Sequence, residues 1–166
     1  MTLEQLAALS QIVGTLGVIA SLIFVGMQIR QNTNATRAQV QQYVTSGYLT
    51  VVQHIAENST VFARGIAANR ESFSAFSDED KLIYFSVIFG FFKHFENMHS
   101  QHERGLIDDE SWEAWQVHVL MYFHQPGVQV WWNLRGGSFR PSFRSFLESS
   151  SPPKVRSMVD VLHDKL

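Results

Sequence analysis

The chain has 166 residues, enough for one domain with a real core, and no Cys, which excludes disulfides, thiolate metal sites and Cys nucleophiles. Charged residues make up 17%, against roughly 25% in an ordinary soluble domain, and the net charge of −2 offers no basic stripe for nucleic acid. With 13 Phe, 4 Trp and 4 Tyr, the composition also excludes a disordered chain.

No charged side chain lies between Glu4 and Arg30. Leu6–Ile29 counts 24 residues, and the hydrocarbon core of a bilayer needs about 20 in a helix. A cleaved export signal would carry Lys or Arg before its apolar core and a small-x-small site after it. Here the only early charge is Glu4, and no Ala-x-Ala follows Met27. A buried soluble helix would show a polar face, whereas Leu16–Met27 has no polar residue beyond Ser21. The expectation over 1–29 is therefore a transmembrane helix. Arg30 and Arg37 follow the span, and no acidic residue appears before Glu57. The positive-inside rule then puts the C-terminal side in the cytoplasm and the N-terminus outside.

Ser10/Gly14 and Gly17/Ser21 are small-xxx-small pairs of the kind that let two membrane helices approach closely. They predict a helix–helix interface and hence a homo-oligomer. The following segment Gln28–Gln42, QIRQNTNATRAQVQQ, has no Gly or Pro and is polar nearly all round. Such a helix needs support from outside itself, such as copies of itself. In a ring of copies, Gln28, Gln31, Asn32 and Ala35 would line the cytoplasmic mouth of a pore, presenting rings of amides. From Val40 an apolar stripe begins, Val40, Val44, Tyr48, Val51 and Ile55, at helical spacing. One helix thus runs to about Glu57, with 30–57 a juxtamembrane extension packing its distal half on a cytoplasmic helical domain, 58–166. Asn34-Ala-Thr and Asn58-Ser-Thr match the glycosylation acceptor pattern, which has no meaning on the cytoplasmic side.

Val61–Ala68 is a short helical candidate. Ser77 followed by Asp78, Glu79 and Asp80 is a helix start, a capping hydroxyl with acids near the positive helix end. The long helix after it runs to about Arg104 and stops at Gly105, in a C-cap position. Its apolar run LIYFSVIFGFF is too short to span a bilayer and predicts a core helix. Further helices are expected at Asp109–His124, from Pro126 to the Gly136-Gly137 pair, from Pro141 to Glu148, and at Lys154–Lys165 after the Ser149–Pro153 break. No run alternates apolar and polar residues, so the fold class is all-α: the N-terminal span continuing into a long helix, then an irregular bundle.

Seven His residues raise the question of a metal. Glu96, His99 and Glu103 share a helix face, and Glu96-x-x-His99 fits one element of a di-iron bundle. The second element is missing, since Trp115 and Met121 stand where His118 and His124 would need a Glu. The reading is a half-exposed face with Glu96 buried and hydrogen-bonded. Trp112, Trp115, Trp131, Trp132, Phe139, Phe143 and Phe146 are read as core. Arg135, Arg140, Arg144, Lys154 and Arg156 are read as a solvated face rather than a lipid-headgroup surface. No phosphate loop or nucleophile elbow occurs, so no catalytic residue, cofactor site or metal ligand set is assigned.

The chain resembles a widespread family of uncharacterised bacterial proteins over nearly its whole length. The resemblance rests on Gln28-Ile29-Arg30-x-Asn32-Thr33 with Arg37, on Phe95-Glu96-Asn97 before Gly105, on Trp112, on Pro126-Gly127 with Trp132, and on Phe139-x-Pro141-x-Phe143. It implies a small single-span inner-membrane protein with a helical domain, and brings no activity. Two function classes follow from the sequence. The favoured one is a non-enzymatic, membrane-anchored scaffold or interaction module with a pore as its sharper variant, its partners being the lipid bilayer and other copies of itself. The alternative is a tethered metal- or ligand-binding enzyme domain centred on Glu96 and His99.

Overall fold

The computed structural model describes residues 2–155. Among these, every regular element is helical: α1 Leu3–Glu57, α2 Ser59–Ala67, α3 Arg70–Ser74, α4 Asp78–Glu103, α5 Asp109–Phe123, α6 Pro126–Arg135, a 3-10 turn Gly136–Ser138, and α7 Pro141–Ser149. The chain divides into two compact units between Gln39 and Val40, inside α1.

The first unit is the N-terminal part of α1. Its described side chains are all exposed. The most apolar stretch has a mean hydropathy of 2.1 and none of it is buried by the rest of the chain. A soluble core helix of that hydropathy would be covered, because leaving apolar area in water costs about 25 cal/mol per Å².

In the second unit the apolar stripe of α1 behaves as its spacing predicts. Val44 is buried, and Val40, Tyr48, Val51 and Ile55 are partly buried against the core. The core itself is built around α4, where Tyr84, Ile88, Phe91, Phe92, Phe95 and Met98 have no exposed surface. Positions 84, 88, 91, 92, 95 and 98 recur every three or four residues, which is the buried stripe of a helix. Ser77 caps α4 through its hydroxyl, which accepts the Asp80 N–H at 3.1 Å. At the other end Gly105 takes φ +70°, and Leu106 N–H reaches Gln101 O at 2.9 Å. This is a Schellman termination, which requires the left-handed residue that only Gly adopts cheaply. The seven aromatics read as core from Trp112 onward are core: Trp112, Trp131, Trp132, Phe139 and Phe143 are buried, and Trp115 and Phe146 are partly buried against the core.

α2 crosses α6 at very short range. A Cβ on Gly127 would lie 1.7 Å from the Gly65 carbonyl oxygen, and one on Gly65 would lie 2.3 Å from the Tyr84 ring. Gly127 therefore sets the approach of α6 to α2, and Gly65 that of α2 to Tyr84 on α4, so the Pro126-Gly127 start of α6 has a packing reason beyond its helix-initiating Pro.

Two elements have no counterpart in the sequence reading. α3 is only five residues long, held by a reciprocal cap in which Asn69 Oδ1 accepts the Ser72 N–H at 2.8 Å and Ser72 Oγ accepts the Asn69 N–H at 2.9 Å. One and a half turns are too few to display a hydrophobic period. The Gly136–Ser138 turn extends the chain between α6 and α7, where the sequence shows only a Gly pair. Of the expected helix Lys154–Lys165, Lys154 and Val155 are not helical, and the rest lies outside the described residues.

Candidate functional site

On the N-terminal unit, Ser10, Gly14, Gly17 and Ser21 are separated by 4, 3 and 4 residues. At about 100° per residue this confines them to an arc of roughly 60°. Gln28, Gln31, Asn32 and Ala35 lie along the same side of the helix within about 100° of arc. The small-residue face and the amide-bearing face thus form one line along α1. The face is open, with nothing within 4 Å of a Cβ built on Gly14 or Gly17. The hydroxyls of Ser10 and Ser21 donate back to Leu6 O at 2.9 Å and Gly17 O at 2.8 Å, so the face is small without being hungry for polar partners. Thr36 does the same to Asn32 O at 2.9 Å.

In the helical bundle, both oxygens of Glu96 are engaged. Oε2 accepts from Lys93 Nζ at 2.8 Å, and Oε1 accepts the backbone N–H of Arg140 at 2.6 Å. Lys93 also donates to Ser138 O at 2.9 Å and lies 4.4 Å from the Phe139 ring centroid. Arg140 in turn donates to Ser100 Oγ at 2.5 Å. The polar groups of α4 therefore fasten the entry to α7, where Arg140 N–H would otherwise be an orphan donor at a helix start. His99 is packed among Trp112, Phe143 and Phe146, with ring centroids at 5.4, 5.6 and 5.3 Å, and its Nδ1 is 3.8 Å from Glu103. Burial lowers its pKa, Glu103 opposing and His102 and Arg140 reinforcing that shift. Among the described residues no group of three or more His, Asp or Glu is placed to hold a metal ion. The Glu96–His99 pair has a structural occupation instead: Glu96 is saturated by a cation and an amide, and His99 is an aromatic core member. Of the basic C-terminal residues, Arg140 is fixed on α4, Arg144 lies 3.6 Å from Glu148, and Arg156 is outside the described residues.

A third cluster joins α1 to the bundle. The Tyr48 hydroxyl and His118 Nε2 share a hydrogen bond of 2.7 Å. The Tyr48 ring lies 4.9 Å from Trp115, 5.4 Å from His118 and 6.1 Å from His94, centroid to centroid. His94 Nε2 is buried without a hydrogen-bond partner. Gly47 lets α1 sit on this imidazole, since a Cβ there would be 3.0 Å from His94 Cε1 and Nδ1. Burial lowers the pKa of both imidazoles, and burial followed by the neighbouring Tyr122 raises that of Tyr48. The sequence placed Tyr48 on an apolar stripe. The partner of its hydroxyl, 70 residues away on α5, leaves no trace in local periodicity.

Beside this joint, Val51, His54, Asn58, Leu82, Val87 and Gly90 line part of a hollow of about 360 Å³ between the end of α1 and α4. Its walls are mostly apolar, with His54, Asn58 and Ser86 as the polar lining, and His54 Nδ1 lies 3.6 Å from Glu57.

No family model, curated protein or solved structure matches the chain.

Proposed function

We propose that the chain is a membrane-anchored, self-associating helical protein of the bacterial inner membrane, acting as a scaffold or interaction module, in keeping with the family that its Gln28–Thr33 segment resembles. The observation that carries this reading is the helix over the first unit: mean hydropathy 2.1 with none of the window covered by the chain's own residues. Such an uncovered surface supports lipid as its cover, since a core helix would find one in its own domain. Arg30 and Arg37 support an orientation with the helical bundle in the cytoplasm and the N-terminus outside. The single line of Ser10, Gly14, Gly17 and Ser21 supports close packing of copies in the bilayer. Without a partner, a polar exterior from Gln28 to Gln39 would stand alone, and copies packed along the same face supply one.

In this reading the bundle is the working end, displayed near the membrane by repetition rather than by catalysis. The pore is a sharper form of the same reading. It requires Gln28, Gln31, Asn32 and Ala35 to face a lumen instead of a dry seam.

The deciding experiment is the native mass of the detergent-extracted protein, alone and with Gly17→Leu. A discrete oligomer that falls to monomer on substitution supports the reading. A monomer in the unsubstituted protein would overturn self-association while leaving the anchor intact. An oligomer that passes ions in liposomes, and loses selectivity with Asn32→Ala, would select the pore over the scaffold.

A further inference from the structure

Three residues on three helices meet where α1 joins the bundle: Tyr48 on α1, His94 on α4 and His118 on α5. We propose that this meeting point is an acid-released joint, in which protonation of His94 and His118 frees the Val44–Ile55 stretch of α1 from the bundle. The inference goes beyond the scaffold reading and does not need the membrane span.

The geometry carries it. His118 Nε2 is bonded to the Tyr48 hydroxyl at 2.7 Å, and the Tyr48 ring packs against both imidazoles. On the far side, the backbone at Gly47 closes over His94, whose Nε2 is buried and unpartnered. A proton at Nε2 of His94 therefore finds neither an acceptor nor solvent until α1 moves. At His118 the phenol can turn to accept a proton, so the cost there is desolvation and the like charge on His94 rather than a lost hydrogen bond.

Among the described residues no ion pair offsets these charges. The titratable groups facing the imidazoles are Tyr48 from α1, each other from α4 and α5, and Tyr122 from α5, whose ring lies 5.3 Å from His118. The remaining neighbours, Phe91, Phe95 and Trp115, are uncharged. The charged residues flanking His94, Lys93 and Glu96, are bound to one another and to the start of α7. No carboxylate among the described residues is hydrogen-bonded or ion-paired to either ring. Burial holds both imidazoles neutral at neutral pH, and their combined uptake of two protons makes opening steep. Each proton taken up on opening changes the opening constant by up to about tenfold per pH unit, so two give up to about 100-fold.

The experiment is hydrogen exchange of the full chain in detergent, read by mass spectrometry as protection factors at pH 7.5 and 5.0. Protection across Val44–Ile55 is expected to fall by at least about tenfold at the lower pH, while α6 and α7 stay protected, which separates release from global unfolding. The double variant His94→Phe, His118→Gln keeps an aromatic and a hydrogen-bonding group but cannot be protonated, and should hold the same protection at both pH values. Equal protection at both pH values in the unsubstituted chain overturns the proposal, as does an undiminished acid loss in the double variant. If the double variant does not fold, His118→Gln alone should lower the steepness from up to about 100-fold to about tenfold per pH unit. Unchanged steepness in that variant would also overturn it.

Discussion

Glu96, on the central helix, holds the backbone N–H of Arg140 at 2.6 Å across 44 residues of sequence. The carboxylate thereby serves as an N-terminal cap for α7 supplied from another helix, and its other oxygen is tied to Lys93. Glu96→Ala removes both bonds and leaves the Arg140 amide without its carboxylate partner. The expected loss is about 2–3 kcal/mol, in the range of hydrogen bonds to charged groups. Glu96→Gln retains an acceptor and is expected to cost about half as much. Denaturant unfolding of the full chain, followed by circular dichroism, measures both; equal costs would show that charge contributes nothing beyond geometry.

Gly127 should tolerate no side chain. Its missing Cβ would overlap the Gly65 carbonyl, a backbone atom that cannot swing aside. Gly127→Ala is expected to destabilise by about 3 kcal/mol, at the upper end of overpacking costs. By contrast, Gly90→Ala meets nothing within 4 Å and should stabilise α4 by about 0.5–1 kcal/mol through helix propensity. The pair of melting temperatures should therefore move in opposite directions.

Acid should weaken the bundle as a whole, beyond the joint at Tyr48. Burial lowers the pKa of His94, His99, His118 and His124 from the ordinary 6.5. An imidazole with a lowered folded-state pKa binds its proton more readily when unfolded. Its contribution to stability is thus complete above pH 6.5 and is lost as pH falls from 6.5 through the folded-state value. Unfolding free energy measured from pH 8 to pH 5 should be flat above about 7 and decline below 6.5; a rise on acidification would contradict the burial of these rings.

The proposed anchor has its own test. Leu22 sits mid-way along the exposed apolar helix, and Leu22→Arg is expected to cost about 2.5–3.5 kcal/mol of membrane insertion. Fractionation should move the protein from membranes to the soluble or aggregated pool. A folded variant that remains in the membrane would count against a single span.

Most of the architecture was legible because each long helix carries its own signals. The stripe from Val40 to Ile55, the Ser77 cap and the Gly105 stop are local features, and they delimit α1 and α4 to within a residue or two. The aromatic core was legible from composition and spacing. What local reading missed has a common cause. α3 is defined by one reciprocal cap, and the Gly65–Gly127 contact, the Glu96–Arg140 bond and the Tyr48–His118 bond all join residues far apart in sequence. Such pairings are decided by packing, and no period records them. The Glu96–His99 spacing illustrates the reverse hazard. It reads as half of a metal motif, yet the fold gives Glu96 to a lysine and a backbone amide and His99 to an aromatic cluster.

Along α1 the hydroxyls of Ser10, Thr15 and Ser21 each close onto the carbonyl one turn earlier, at 2.9, 2.8 and 2.8 Å. A hydroxyl satisfied in this way no longer asks its surroundings for a partner, whether these are water, lipid or another helix. To a neighbouring helix Ser21 then presents the outline of Ala. A scan of this face should consequently respond to bulk and ignore polarity: Ser21→Ala silent, Ser21→Val disruptive. Hydropathy scales count each serine as polar and so understate how apolar the outer surface of this segment is.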